Sequence, residues 1–181
     1  MPARRRYWLV VVPGERYAEE RLYAHETVEL APAGPAAAAR PGDDVALIAG
    51  DALIALGRVV GGEGGRLLVR YTRRLFDDPV AVAPNGPGTA VEPGELSGPA
   101  YQRLVAPAGR ADPEPARWLV SIALPIEAGS AGEAVREFWT YVEKLGPREL
   151  PAYVWPRGDE LAMQAFVLGA VTNLDPEEDD D

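Results

Sequence analysis

The sequence predicts an α+β protein: a small β-barrel of short, curled strands followed by a β-α-β-β two-layer module. Three observations carry that reading. Residues 41–61, PGDDVALIAGDALIALGRVVG, hold two apolar runs joined by Gly50-Asp51 and closed by glycines, which is how short strands turn back on one core. Residues 84–116 are dominated by Pro, Gly and Ala, and such a stretch reads as a linker or a long wrapping loop that divides the chain. Ser130 and Glu133 form a capping box just ahead of apolar residues at helical spacing.

The elements follow in order. YWLVVV at 7–12 is aromatic and β-branched, the composition of a buried strand. ERYAEERLYAHETVEL is helix-permissive through Leu22 and more extended at ETVEL, and residues 33–39 are a Pro/Ala/Gly connector. Pro41-Gly42-Asp43 is a turn, because Pro presets its own φ and Gly accepts a positive one. VALIA and ALIALGRVV then pair as a hairpin. RLLVRYTRRLF is the next strand, with Leu67, Val69 and Tyr71 on one face and Leu68, Arg70, Thr72 and Arg74 on the other. Within the connector, only AYQRLV at 100–105 has an ordered pattern. RWLVSIALPI alternates, placing Trp118, Val120, Ile122, Leu124 and Ile126 on one face. The capped helix runs to about Leu145 with Val135, Phe138, Trp139, Val142 and Leu145 on one side, stopped by Gly146 and Pro147. PAYVWP is a short strand, residues 156–159 a turn, and ELAMQAFVLGAV a final strand whose helix formers also permit a helix, so the expected unit is one helix on three strands. The expected division is a barrel over 1–83, extending to about 105, the connector at 84–116, the module at 117–174 and an acidic disordered tail at 175–181.

Composition narrows the function. The 181 residues include no cysteine, which removes disulfides, thiol nucleophiles and zinc-thiolate sites, and is consistent with a cytoplasmic protein. No segment is long and uncharged enough to span a bilayer. The net charge of −10 is uneven: residues 1–110 hold thirteen arginines and thirteen acids, whereas residues 111–181 hold five basic and fifteen acidic residues. An evenly spread charge of that size would argue against a nucleic-acid partner, but the first part is net zero and all the excess is C-terminal. Asp175, Glu177, Glu178 and Asp179 to Asp181 form a solvated acidic run.

YWLVVV at 7–12, RPGDDVALI at 40–48, IALGRVVG at 54–61 and VRYTRRLFDDPVAV at 69–82, in this order and spacing, resemble a PUA-like barrel over about residues 7–105. The resemblance narrows to the EVE domain, a relative of the YTH readers of methylated RNA. It implies a non-enzymatic nucleic-acid-binding protein that reads a modified or flipped base in RNA or DNA. Such a pocket needs rings for stacking, polar groups for the base edge and positive charge for phosphates. Trp8, Tyr17, Tyr23 and Tyr71 are the candidate rings. His25 and Thr27 are the candidate polar groups, and Arg70, Arg73 and Arg74, with Arg4 to Arg6, the candidate cations. Trp8, flanked by apolar residues, also fits a core strand, and Arg4 to Arg6 also fit a solvated chain end.

Catalysis has little to stand on. Some PUA-like relatives in the ASCH group are hydrolases that depend on a barrel lysine, and the single lysine here, Lys144, lies on the helix of the other part. No Ser-His-acid spacing, phosphate loop or paired-carboxylate motif occurs, and with one histidine and no cysteine no metal or other cofactor is expected. The alternative reading is an adaptor acting through the module, which has open sheet edges and so should meet a protein partner or a second copy of itself.

Overall fold

The computed structural model describes residues 5–32, 34–82, 92–109 and 116–172. Arg4, the acidic run at 175–181 and two parts of the expected connector, 83–91 and 110–115, lie outside the described residues. The chain divides into two compact units, Met1–Asp112 and Pro113–Asp181.

The first unit runs β1 (Tyr7–Val11), α1 (Gly14–Glu20), β2 (Thr27–Leu30), a 3-10 turn (Gly34–Ala38), β3 (Asp44–Ala49), β4 (Ala52–Gly61), β5 (Leu67–Arg74), β6 (Val80–Ala81), β7 (Gly94–Leu96), α2 (Gly98–Val105) and a second 3-10 turn (Ala106–Gly109). Its sheet has the order β2-β5-β4-β3-β1-β7, with β6 added on β4, and β1 and β3 run parallel. This corrects the expected barrel: the sheet is open, with β2 and β7 at its two ends. Cover replaces closure. Trp8, Val10, Val45, Leu47, Val59 and Val69 pack on one face, while Leu9, Ala46, Ile48 and Leu53 pack on the other against Tyr101 of α2. The central strands are buried on both sides, so β1 and β3 read as continuous apolar runs rather than as alternating ones. Within the expected connector, residues 92–109 hold β7, which pairs with β1, and α2, whose N-cap Ser97 Oγ accepts from the Ala100 N–H.

The turn before β3 is held from inside. Gly42 has φ 96°, which frees Asp43 to point inward. One Asp43 oxygen accepts from Trp8 Nε1 at 2.9 Å, from Arg6 Nη2 at 3.0 Å and from the Arg40 N–H at 3.0 Å, and the other accepts from the Arg6 N–H at 3.3 Å. Arg6 also lies 5.0 Å over the Trp8 ring. One carboxylate thus ties the turn to the first strand.

Gly57 marks a close approach on β4. A Cβ there would run into the Val69 side chain, with the Arg70 carbonyl oxygen at 2.9 Å. Overpacking costs about 1–3 kcal/mol, so Gly57→Ala is expected to lower the unfolding free energy by an amount in that range, read as a fall in the denaturant midpoint at unchanged m. Gly61, with open space around its own Cβ position, serves as the control. Gly61→Ala should leave the midpoint nearly unchanged.

The second unit runs β8 (Trp118–Ser121), α3 (Ala131–Glu149), β9 (Ala152–Pro156), a 3-10 turn (Glu160–Ala162), β10 (Gln164–Val167) and β11 (Ala170–Thr172), with antiparallel order β11-β10-β9-β8. The expected three strands are four, because the last one folds at Leu168 and Gly169, with φ 53° and 73°, into the β10–β11 hairpin. Leucine is a poor sequence signal for a left-handed turn. The expected long strand from Trp118 pairs only to Ser121, since its partner Tyr153 stands one residue from the start of β9. On α3, Ser130 Oγ accepts from the Glu133 N–H, and Gly146 at φ 58° ends the first helical segment before Pro147. The expected apolar stripe splits. Phe138, Val142 and Leu145 are half-buried, while Val135 and Trp139 face solvent, Trp139 at 62% exposure. No helix among the described residues is long and apolar enough to cross a membrane.

Candidate nucleic-acid interface

The site is built around a carboxylate that the fold buries. Helix α1 carries Glu20 one turn beyond both Arg16 and Tyr17, so Glu20 shares a side with each of them. Glu20 is 1% exposed, and an ionised side chain is buried only when partners answer it. Arg16 Nη2 reaches one of its oxygens at 2.9 Å, Tyr71 donates its hydroxyl to the other at 2.9 Å, and His25 Nδ1 lies 3.4 Å from both. Arg16 also pairs with Glu19 at 3.2 Å.

Rings surround this carboxylate. Phe76 meets Tyr17 and Tyr71 edge to face, with centroids 5.7 and 5.6 Å apart, and Tyr17 donates its hydroxyl to the Phe76 carbonyl at 3.3 Å. Tyr23 stacks on His25 at 5.3 Å and is half exposed. Arginines lie over the rings, Arg21 at 5.8 Å from Tyr17 and Arg74 at 5.3 Å from Tyr71. Arg74 donates to the His25 carbonyl as well. Burial, reinforced by the hydrogen bond to Glu20 and its negative charge, pushes the Tyr71 hydroxyl well above the ordinary tyrosine range, and burial raises Tyr17 too. Both phenols stay neutral donors at any physiological pH.

A bulge places Arg74. By simple alternation Arg74 and Tyr71 would point to opposite faces of β5. The register steps from Leu56↔Arg73 to Gly57↔Tyr71, leaving Thr72 as an extra residue, and a bulge of this kind re-aims the side chains beyond it. Arg74 consequently lands on the Tyr71 side.

Of the residues singled out from the sequence, Tyr17, Tyr23, His25, Tyr71 and Arg74 come together. Thr27 and Arg70 are paired across β2 and β5, one step along from the buried Val28–Val69 pair, and therefore lie on the opposite face of that ladder. Arg73 is half-buried and stands in register with Leu56. Trp8 is removed from the site: it is 2% exposed and bonded to Asp43 in the core, so its indole stacks on no ligand. Arg5 and Arg6 answer Asp44 and Asp43 at 3.4 and 3.0 Å and are spoken for within the fold.

Sequence reasoning missed Glu20, Arg16, Arg21 and Phe76. The i, i+4 spacing of Arg16 and Glu20 was the available signal, but nothing in a run of alternating charges says which acid is buried. Arg16 also lines a cleft of about 340 Å³ together with Val11, Pro13, Glu29, Leu30 and Pro32, so this residue borders both the ring cluster and a recess beside it. Among the described residues no three His, Asp or Glu side chains gather as metal ligands do. Compared with protein-family models, with curated proteins and with solved structures, the chain gives no match to any of them.

Proposed function

We propose that the first unit is a PUA-like, EVE-type module that binds single-stranded or flipped nucleotides without acting on them chemically, through the ring and arginine cluster around Glu20. The observation that supports this reading is the gathering of Tyr17, Tyr23, Tyr71, Phe76 and His25 with Arg16, Arg21 and Arg74 about one buried carboxylate. Stacking rings and cations in one place are what base and phosphate require. Tyr23 and the His25 ring stacked on it are exposed, as is Arg74, so Tyr23 is assigned to the base and Arg74 to a phosphate. The open sheet does not bear on this assignment, because the cluster is formed by α1, the turn after it, β5 and Phe76 just beyond β5.

The test is an anisotropy titration of the full chain against plain and methylated oligonucleotides at two salt concentrations. Tyr23→Ala is expected to weaken binding by the value of one stacked base, about 1–3 kcal/mol. Arg74→Ala should lower the salt slope by about 0.7, the value of one single-strand phosphate contact. Arg70→Ala, on the opposite face of the β2–β5 ladder, should leave both nearly unchanged. Equal losses in Arg70→Ala and Arg74→Ala would mean diffuse attraction and would remove the site from this cluster, and absence of binding at low salt would end the nucleic-acid reading.

A further inference from the structure

Among the described residues, strand β8 is an edge of its sheet and pairs with β9 alone. The Arg157 N–H donates to the Arg117 carbonyl at 3.0 Å, one register step outside Trp118↔Pro156. Hydrogen-bonded pairs alternate along an antiparallel ladder, so Leu119 and Ser121 turn their backbone groups toward β9, whereas Trp118 and Val120 turn theirs outward. Pro156, opposite Trp118, sits where a missing N–H costs this ladder nothing. Edge strands are ordinarily protected by a charge, a proline or a bulge. Here no charged residue occurs between Arg117 and Glu127, and Trp118, Leu119 and Val120 are 56, 43 and 66% exposed.

We infer that β8 is a self-association edge, and that two copies of the chain join by antiparallel β8–β8 pairing into one eight-stranded sheet. The strand is complementary to itself. With the two-fold axis at Leu119, each Trp118 stands opposite Val120 of the second copy, and the outward groups of these residues exchange about four backbone hydrogen bonds. Trp118 and Val120 then make two aromatic–β-branched cross-strand pairs on one face, a favoured combination, while Leu119 meets its own equivalent on the other. Arg117 falls opposite Ser121, so no like charges meet. Residues 111–181 carry five basic and fifteen acidic side chains, so two copies repel through their net charge, and the pairing rests on the backbone bonds and the apolar side chains instead. A symmetric pairing of this kind closes at two copies.

The experiment is sedimentation equilibrium of the full chain over about 1–100 μM, a range that brackets micromolar association, with amide exchange followed at both ends. The wild-type chain is expected to reach twice its monomer mass, with the Trp118 and Val120 amides slowing as the dimer forms. Val120→Lys should return the protein to a monomer with those amides fast, whereas Val171→Lys, on the opposite edge strand β11, should leave the dimer intact. A wild-type chain that stays monomeric throughout, a dimer that survives Val120→Lys, or a dimer in which the Trp118 and Val120 amides remain fast overturns the inference. The exchange measurement on the wild-type protein decides the matter even if a lysine variant fails to fold.

Discussion

Asp43→Ala is expected to destabilise the first unit by about 3 kcal/mol, because it leaves the buried Trp8 Nε1–H and the Arg40 N–H without an acceptor, and a buried unsatisfied donor costs about 1–3 kcal/mol. Trp8 is 2% exposed, so water cannot replace the lost partner. The loss should depend on pH in a determined sense. Burial pushes the Asp43 carboxyl up, but the hydrogen bonds from Arg40, Trp8 and Arg6 together with the Arg6 charge outweigh it, and the net pKa is lowered. A carboxyl whose folded pKa lies below its unfolded value binds its proton more tightly in the unfolded chain. Its contribution is therefore complete above about pH 4, the ordinary aspartate range, and fades as the pH falls through the lowered folded value. Denaturant melts of wild type and Asp43→Ala should differ fully at pH 7; below about pH 4 the part of the difference that rests on the charge should fade, while the part that rests on an acceptor for Trp8 and Arg40 remains. A difference that stays constant down to the acid limit would mean that the carboxylate acts through its shape alone.

The same residue shows what the sequence made legible. Pro41-Gly42-Asp43 announces a turn by local chemistry, and the β3–β4 hairpin beyond it formed around Gly50-Asp51 as composition implied. Local signals of this kind survive folding because they concern neighbours in the chain. The capping box at Ser130 and the stop at Gly146 belong to the same class. What the sequence hid was non-local. The role of the Asp43 side chain depends on Trp8, thirty-five residues away, and the aim of Arg74 depends on an extra residue at Thr72 that only the register reveals. A barrel was expected because short glycine-bounded strands suit closure, yet α2 covers the sheet face that closure would otherwise have covered, and its ordering was visible only as the six residues AYQRLV. In the second unit the amphipathic pattern of α3 was legible, but the pattern alone does not fix which part of a wide apolar stripe faces the sheet, and Trp139 fell outside.

Glu20→Ala should have the larger effect on function, and Tyr71 reports why. The Glu20 carboxylate ties together Arg16, His25 and Tyr71, which come from three different elements. Deleting it strands the Tyr71 hydroxyl in a buried setting. Arg16 is about a third exposed and can turn to water, so its share is discounted and the expected loss of stability is about 2 kcal/mol. Glu20→Gln keeps an acceptor but removes the charge, and this separates the two roles. Glu20 raises the Tyr71 pKa both by accepting its proton and by its charge, second only to burial. In Glu20→Gln, the alkaline absorbance transition of Tyr71 should therefore move down while staying above the ordinary tyrosine value, since the burial remains. If Glu20 serves nucleotide binding by holding the cluster in place, Glu20→Gln should retain most of the affinity and Glu20→Ala should lose about tenfold or more, the equivalent of one stacked base. If instead its charge simply opposes the phosphates, both variants should bind more tightly. The order of the three affinities distinguishes a positioning carboxylate from a repelling one without reference to fold stability.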